Sequence, residues 1–166
     1  KVAATYGAKG VIVRGGSVGE GGDIGQGYEN WGKAIKEVED IGVRVLVENT
    51  AGGKNSVARY MDSIERLWEV IGHLNVGLCL DTCHTWAGGI PTIEAVKGFK
   101  KLVKKIDLIH FNDSKDGFES SRDRHENLGK GQIPKEELEY VIKNAKTDII
   151  VETPNGPDAQ KKDIAW

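Results

Sequence analysis

The sequence predicts an α/β fold built from parallel strands, and three observations carry that prediction. Apolar runs rich in Val, Ile and Leu recur at intervals of roughly 30 residues, the length of a strand–helix unit. These runs are short, continuous and β-branched, as strands buried on both faces are. Between them, apolar residues recur at helical spacing. Long glycine-rich loops follow the runs and short loops precede them, the asymmetry of barrels that carry a site at one end.

Each element follows from its residues. The opening KVAATYGAKG reads as the last turns of a helix, stopped at Gly7 or Gly10. A first strand is expected over Val11–Val13, then the loop GGSVGEGGDIGQG. The helix expected over Tyr28–Ile41 gathers Trp31, Ala34, Ile35 and Val38 on one face. Strand Val43–Val47 precedes a helix over Val57–Ile71, with Ile64, Leu67, Trp68 and Ile71 in its stripe. Strands Val76–Leu80, Ile106–Phe111 and Asp148–Val151 alternate with helices over Ile93–Val103 and Glu136–Asn144. The closing AQKKDIAW reads as a helix cut short. Such alternation implies right-handed crossovers. A complete (β/α)8 TIM barrel takes roughly 250 residues. This chain of 166 residues is therefore expected to be a single domain, 1–166, supplying about five consecutive units of such a barrel. It opens on Lys1 without an initiator Met, so a piece of something longer, or a processed start, is expected.

Composition narrows the function. The chain has 23 basic and 25 acidic residues, a formal charge of −2, which excludes a generic polycation that coats nucleic acid. It leaves room for a DNA enzyme, because carboxylates gathered at a metal site count against the total. No apolar run reaches the length of a membrane span, and no signal peptide is visible. The two cysteines, Cys79 and Cys83, lie in one motif, so no disulfide framework is expected and a reducing cytoplasm is the default.

Seven residues suited to metals sit at or just after expected strand ends. They are Glu48 in VLVENT, Asp81 and His84 in GLCLDTCH, His110 in IDLIHFND, Asp123 and His125 in RDRHENLG, and Glu152 in DIIVETP. Side chains at the carboxyl ends of barrel strands converge, and these are oxygen and nitrogen donors enough for more than one ion. Asp81 should point inward, with the following turn bringing His84 to the same side; alternatively, Asp81 caps the next helix. Asn112-Asp113-Ser114 offers polar atoms to orient His110. Alternation along the extended loop puts Asp123 and His125 on one side and Arg124 on the other. Cys79 is expected as an interior filler, with Cys83 a disfavoured soft ligand. His73 reads as structural. Gly15-Gly16-Ser17 is a weak phosphate-loop signal, lacking the spacing of a nucleotide fingerprint.

The blocks LVENTAGG, GLCLDTCHTWAGG, LIHFNDSKDGFESSRDRHENLGKGQI and VETP, in that order, closely resemble endonuclease IV, the zinc-dependent apurinic/apyrimidinic endonuclease family. The resemblance runs over essentially the whole chain. It implies a (β/α)8 barrel with a trinuclear zinc centre, hydrolysing DNA 5′ to an abasic site in DNA repair. It further implies that Glu48 bridges two zincs, that Asp81, His110 and Glu152 complete one of these, and that His84, Asp123 and His125 bind the third. Glu48 and Glu152 are the expected catalytic carboxylates, able to steer the attacking water. The match begins around the family's fourth strand, so about three of its eight units lie outside this sequence, with one zinc-ligand histidine among them. Where the family carries a histidine motif such as H-x-G-S-H, Arg14 and Val18 stand here. Two zinc sites are therefore expected complete in this chain. A guanidinium cannot ligate zinc, and Arg14 is expected to aim its charge at Glu48.

The expected partner is duplex DNA carrying an abasic nucleotide. Arg14, Lys54, Arg59, Lys115, Arg122, Arg124 and Lys130 are the expected phosphate contacts. Two other readings stand beside this one. The first is a sugar isomerase or epimerase with one metal held by Glu48, Asp81, His110 and Glu152. The second is a truncated relative that binds metal or DNA without cutting. Unpaired edges at Val11–Val13 and Ile149–Val151 predict association with another chain or with a missing part of the barrel.

Overall fold

The computed structural model describes residues 1–166 throughout. A short helix α1 (Val2–Thr5) leads into β1 (Gly10–Arg14), and α2 (Ile24–Val38) runs on into a 3-10 turn at Glu39–Ile41. Then come β2 (Arg44–Glu48), α3 (Met61–Ile71), β3 (Val76–Asp81), α4 (Thr82–Gly88), α5 (Thr92–Leu102) and β4 (Leu108–His110). A small antiparallel pair, β5 (Asp113–Ser114) and β6 (His125–Glu126), precedes α6 (Lys135–Ala145), β7 (Asp148–Ile150) and α7 (Gly156–Ile164). The main sheet has five strands in the order β1-β2-β3-β4-β7, parallel at every pairing. Each crossover therefore steps in the same direction. That is the arrangement of a barrel wall and not of a doubly wound sheet, whose order reverses at a switch point. No helix is long and apolar enough to cross a membrane.

Residue parity along the strands sorts the side chains. Val45 and Val47 of β2, Leu78 and Leu80 of β3 and Ile109 of β4 face the helices and join a core of 24 buried residues. Ile64, Leu67 and Ile71 of α3, Phe99 of α5, and Leu138 and Val141 of α6 meet them there. The alternate residues Ile12, Leu46, Cys79 and Leu108 form a separate small cluster on the other face, the barrel interior. Continuing that parity to the strand ends puts Arg14, Glu48, Asp81 and His110 inside as well. Register agrees: Arg14 pairs with Glu48, Glu48 with Cys79, and Asp81 with His110.

Three departures from the expected elements bear on the site. Helix α2 begins at Ile24, with Asp23 Oδ1 accepting from Gly25 N at 2.8 Å. Gly25 and Gly27 in its first turns mask that start, since glycine is a poor helix former. Helix α3 begins at Met61 and not Val57, because Ser63 Oγ accepts from Tyr60 N at 3.1 Å and donates to Tyr60 O at 2.8 Å. Val57 and Ala58 belong instead to the loop after β2, which closes on itself through Thr50 N to Ala58 O and meets the loop after β1 through Val57 N to Gly16 O. Gly15 permits this approach, since a Cβ there would collide with that of Ala58. Its glycine thus serves packing between loops, not a phosphate cradle. Finally, the residues after Asp81 form a helix, α4, where a turn was expected.

β1 and β7 are the edges of the sheet, with Val13, Ile149 and Ile150 exposed. Beside β1, Val11 and Val13 line an open apolar groove together with Trp31, Ala34, Ile35 and Val38 of α2.

Candidate metal centre

The seven donor residues come together at the carboxyl ends of the strands. Glu48, Asp81, His110 and Glu152 place one ligand atom each within 4.8 Å of one another. His110 Nδ1 lies 2.7 Å from Glu48 Oε1, 3.1 Å from Glu152 Oε2 and 4.0 Å from Asp81 Oδ2. The second group stands against the first. Asp123 Oδ1 lies 3.0 Å from His84 Nε2 and 3.3 Å from His125 Nε2, and His125 Nε2 is 3.6 Å from Asp81 Oδ2.

Asp81 holds both positions that its sequence context allowed. Its Oδ1 accepts from His84 N at 2.8 Å, capping α4, while Oδ2 faces the donor groups. One carboxylate thereby starts a helix and fixes His84 on its first turn.

Whether these residues suit a metal is decided by the imidazoles. His84 Nδ1 lies 2.9 Å from Asn49 O and His125 Nδ1 lies 3.2 Å from Glu152 O, so each ring donates to a carbonyl. The opposite nitrogens, His84 Nε2 and His125 Nε2, are buried without a hydrogen-bond partner, although both turn toward Asp123. A buried imidazole with one nitrogen tied to a carbonyl and the other unpartnered beside a carboxylate is set up as a metal ligand. The residues present therefore fit bound cations of the zinc class: nitrogen and oxygen donors with oriented rings.

Crowding shifts the charges. Burial disfavours a charged His84, but Asp81 and Asp123 overcome it and raise its pKa to about 9. Burial likewise opposes charge on His110 and His125, and nearby carboxylates again win, Glu48 first at His110 and Asp123 first at His125. The His125 and His84 rings hold Asp123 well below the usual carboxylate range, burial opposing them. Glu48 is also lowered: burial works against its charge, while His110, His84 and Arg14 favour it. Without a cation, the surrounding carboxylates thus favour the charged form of the imidazoles, against their burial.

Two asparagines brace the centre, and the sequence pattern did not single out one of them. Asn49 Oδ1 accepts from Asp81 N at 2.8 Å and its Nδ2 donates to Asp81 O at 3.2 Å. Asn112 Nδ2 donates to Asp81 Oδ2 at 2.8 Å, and its Oδ1 accepts from Glu152 N at 2.8 Å. Asn112 thus orients Asp81 and the Glu152 backbone rather than His110, whose Nδ1 is held by Glu48. The fully buried Asp113 folds the loop beyond, accepting from the backbone N–H groups of Gly129, Gly131 and Ile133 at 2.9–3.1 Å. Cys79 fills the interior. Cys83 keeps its thiol proton: burial first, then Asp81, pushes its pKa up to about 12.

The expected phosphate contacts divide. Arg14 Nε is 3.5 Å from Glu48 Oε2, and its Nη1 is paired with Asp123 Oδ2. Arg59 is engaged by Gly88 O and Ser121 Oγ at 3.1 and 2.8 Å and lies over the Tyr60 ring, so it is a loop brace. Arg124 is held by both oxygens of Asp116, and Arg122 lies 3.5 Å from the same carboxylate. Lys54 pairs with Glu20. Lys115 and Lys130 are exposed and make no ion pair.

A wall of consecutive parallel strands, with carboxylates and oriented imidazoles gathered at its carboxyl ends, defines a protein of the α/β-barrel class with a candidate metal site. The chain belongs to the xylose isomerase-like TIM barrel family, whose model matches residues 1–166. It is 46% identical over 164 residues to a Mycobacterium ulcerans protein named "Probable endonuclease 4" and 48% identical to its Mycobacterium tuberculosis counterpart. Each match covers 99% of this chain and 64% of the relative's length. The crystal structure of endonuclease IV from Thermus thermophilus superposes with a TM-score of 0.77 at 30% identity, over 98% of this chain and 61% of that one. A D-tagatose 3-epimerase-like protein shares the fold, with a TM-score of 0.72 at 20% identity over 98% of this chain and 62% of that one.

Proposed function

We propose that this chain carries most of the metal centre of an endonuclease IV-type DNA-repair enzyme, a zinc-dependent hydrolase that cuts duplex DNA 5′ to abasic sites. The observation that carries the reading is the pair of adjoining donor groups. Glu48, Asp81, His110 and Glu152 would hold one ion, and Asp123 with the unpartnered His84 and His125 nitrogens a second. The relatives' names, probable endonuclease 4 and endonuclease IV, support a nuclease reading. Residues 1–166 are proposed to be a single domain matching the last five strands of that barrel. Its edges would pair with the remaining strands or with another chain.

Bound zinc would lower the pKa of a water ligand and polarise a phosphoryl oxygen. The remaining work belongs to the chain. Glu48, buried and braced by His110, would fix the geometry of both groups. Glu152, with its side chain 41% exposed, has an oxygen open to solvent and would align an attacking water. Asn112 would keep Asp81 and Glu152 in place as charge develops. Lys115, Lys130 and Arg122 would position the DNA backbone.

The test is incubation of the chain with a duplex holding one abasic site, with chelator and then with zinc restored. Zinc-dependent scission leaving a 3′-hydroxyl is expected; no scission with zinc fully bound would sink the catalytic reading and leave a binding relative. A single-ion sugar isomerase or epimerase would use Glu48, Asp81, His110 and Glu152 alone. The orphaned nitrogens of His84 and His125 count against it, and one zinc per chain in place of two would restore it.

A further inference from the structure

Arg14 occupies an unusual place for a guanidinium. It ends β1 in register with Glu48, on the interior face, among the candidate metal ligands. Two carboxylates divide their oxygens in the same way around it. Glu48 turns Oε1 to His110 and Oε2 to Arg14 Nε. Asp123 turns Oδ1 to His84 and His125, and Oδ2 to Arg14 Nη1. Each inner oxygen faces the nitrogen donors, and each outer oxygen faces the guanidinium. Arg14 thus joins the two donor groups as a bridging cation would. Its side chain remains 56% exposed, and its Nη2 makes no hydrogen bond with the protein.

We infer that Arg14 is a built-in third cation of the centre, which limits the chain to two metal ions and offers its free Nη2 edge to a phosphate oxygen of the substrate. This inference rests on the proposed function and names how that site would grip its substrate. The charge count favours it. Glu48, Asp81, Asp123 and Glu152 balance two divalent ions, so Arg14 supplies the one positive charge that meets the single negative charge of a phosphodiester. A planar guanidinium already spanning two carboxylates is pre-organised for that contact, as a lysine would not be. The same pairing shields Glu48 and Asp123 from further metal, because the cation competes for their outer oxygens.

The experiment compares the chain with Arg14→Ala. Zinc is titrated into chelator-treated protein by calorimetry, and inorganic phosphate is then titrated into the zinc-loaded form. Two zincs per chain are expected in the parent. In Arg14→Ala zinc affinity should rise several-fold, because the competing cation is gone, while phosphate affinity falls at least tenfold. Millimolar guanidinium should restore phosphate binding to the variant and leave the parent unchanged. A purely structural arginine would weaken zinc and phosphate together and would not respond to guanidinium; that result overturns the inference. Three zincs in the parent, or unchanged phosphate affinity in the variant, overturns it too. If Arg14→Ala fails to fold, Arg14→Lys reads the same two quantities, with phosphate binding weakened and zinc binding kept. Two zincs and the expected Arg14 effects without scission of an abasic duplex would remove the proposed function alone. A parent that binds no zinc removes both.

Discussion

At the scale of single residues, the centre depends on groups that never face the solvent. Asn112 connects Asp81 Oδ2 to the Glu152 backbone, so Asn112→Ala strands a buried carboxylate oxygen and a backbone N–H. A lost buried partner costs about 1–3 kcal/mol, and loss of an outer brace weakens metal binding about 10–100-fold. Thermal unfolding and zinc titration of Asn112→Ala should show both losses. His84 predicts a pH dependence. Its folded pKa of about 9 lies above the ordinary value of 6.5, so the metal-free fold gains stability from it below pH 6.5 and loses that stability as pH rises toward 9. The lowered Glu48 and Asp123 contribute a constant amount over that window, since both are ionised in either state. Zinc affinity runs the other way, increasing to about pH 9 as the competing proton leaves. Opposite pH slopes for metal-free melting temperature and zinc affinity are the expected outcome, and a flat pair of curves would show that His84 is neutral. The gathering of Glu48, Asp81 and His110 was legible in the sequence, because each stands at the carboxyl end of an apolar run, where barrel side chains converge. The Arg14–Asp123 pair was not, because it closes a loop of 109 positions that no local pattern records.

At the scale of elements, packing between loops decides what the centre rests on. Gly15 lies against Ala58, and the loops after β1 and β2 lock together through Val57 N to Gly16 O. Gly15→Ala forces these loops apart and should destabilise the chain by about 1–3 kcal/mol as an overpacked contact does. The shift also moves Arg14 and Glu48, the residues just before the two loops. A melting temperature within a degree of the parent would show that the loops yield freely. The strands were readable from their continuous β-branched runs and the outer helices from their apolar spacing, although the starts of α2 and α3 were not. Helix α4 was not, because Thr82–Gly88 is buried almost all round and offers no amphipathic stripe. Helix α2 lost its first turn to glycines that mask a true start.

For the whole molecule, five strands make a wall with two open edges. The β1 edge adjoins an apolar groove lined by Val11, Val13 and Trp31, and the β7 edge exposes Ile149 and Ile150. Such edges are templates for pairing. The chain alone should associate as its concentration rises, with sedimentation velocity showing species above the monomer in the micromolar range. A single monomeric boundary at every concentration would mean that the edges are satisfied internally. The in-order strand sequence was expected from the barrel reading, which rested on loop asymmetry and the family resemblance, since alternation by itself also suits a doubly wound sheet. The in-order pairing β1-β2-β3-β4-β7 is a long-range property, fixed by how each crossover packs on its neighbour.

The two oxygens of Asp81 have a consequence for how this position can drift. One starts α4 and the other faces the donors, so folding and ligation meet in a single carboxylate. Asparagine would keep the helix start, since it caps as well as aspartate, yet would forfeit the charge. Glutamate would keep the charge, but its longer side chain would overshoot the turn. Alanine would lose both. Asparagine and glutamate therefore each fail for a different reason, one in charge and the other in reach.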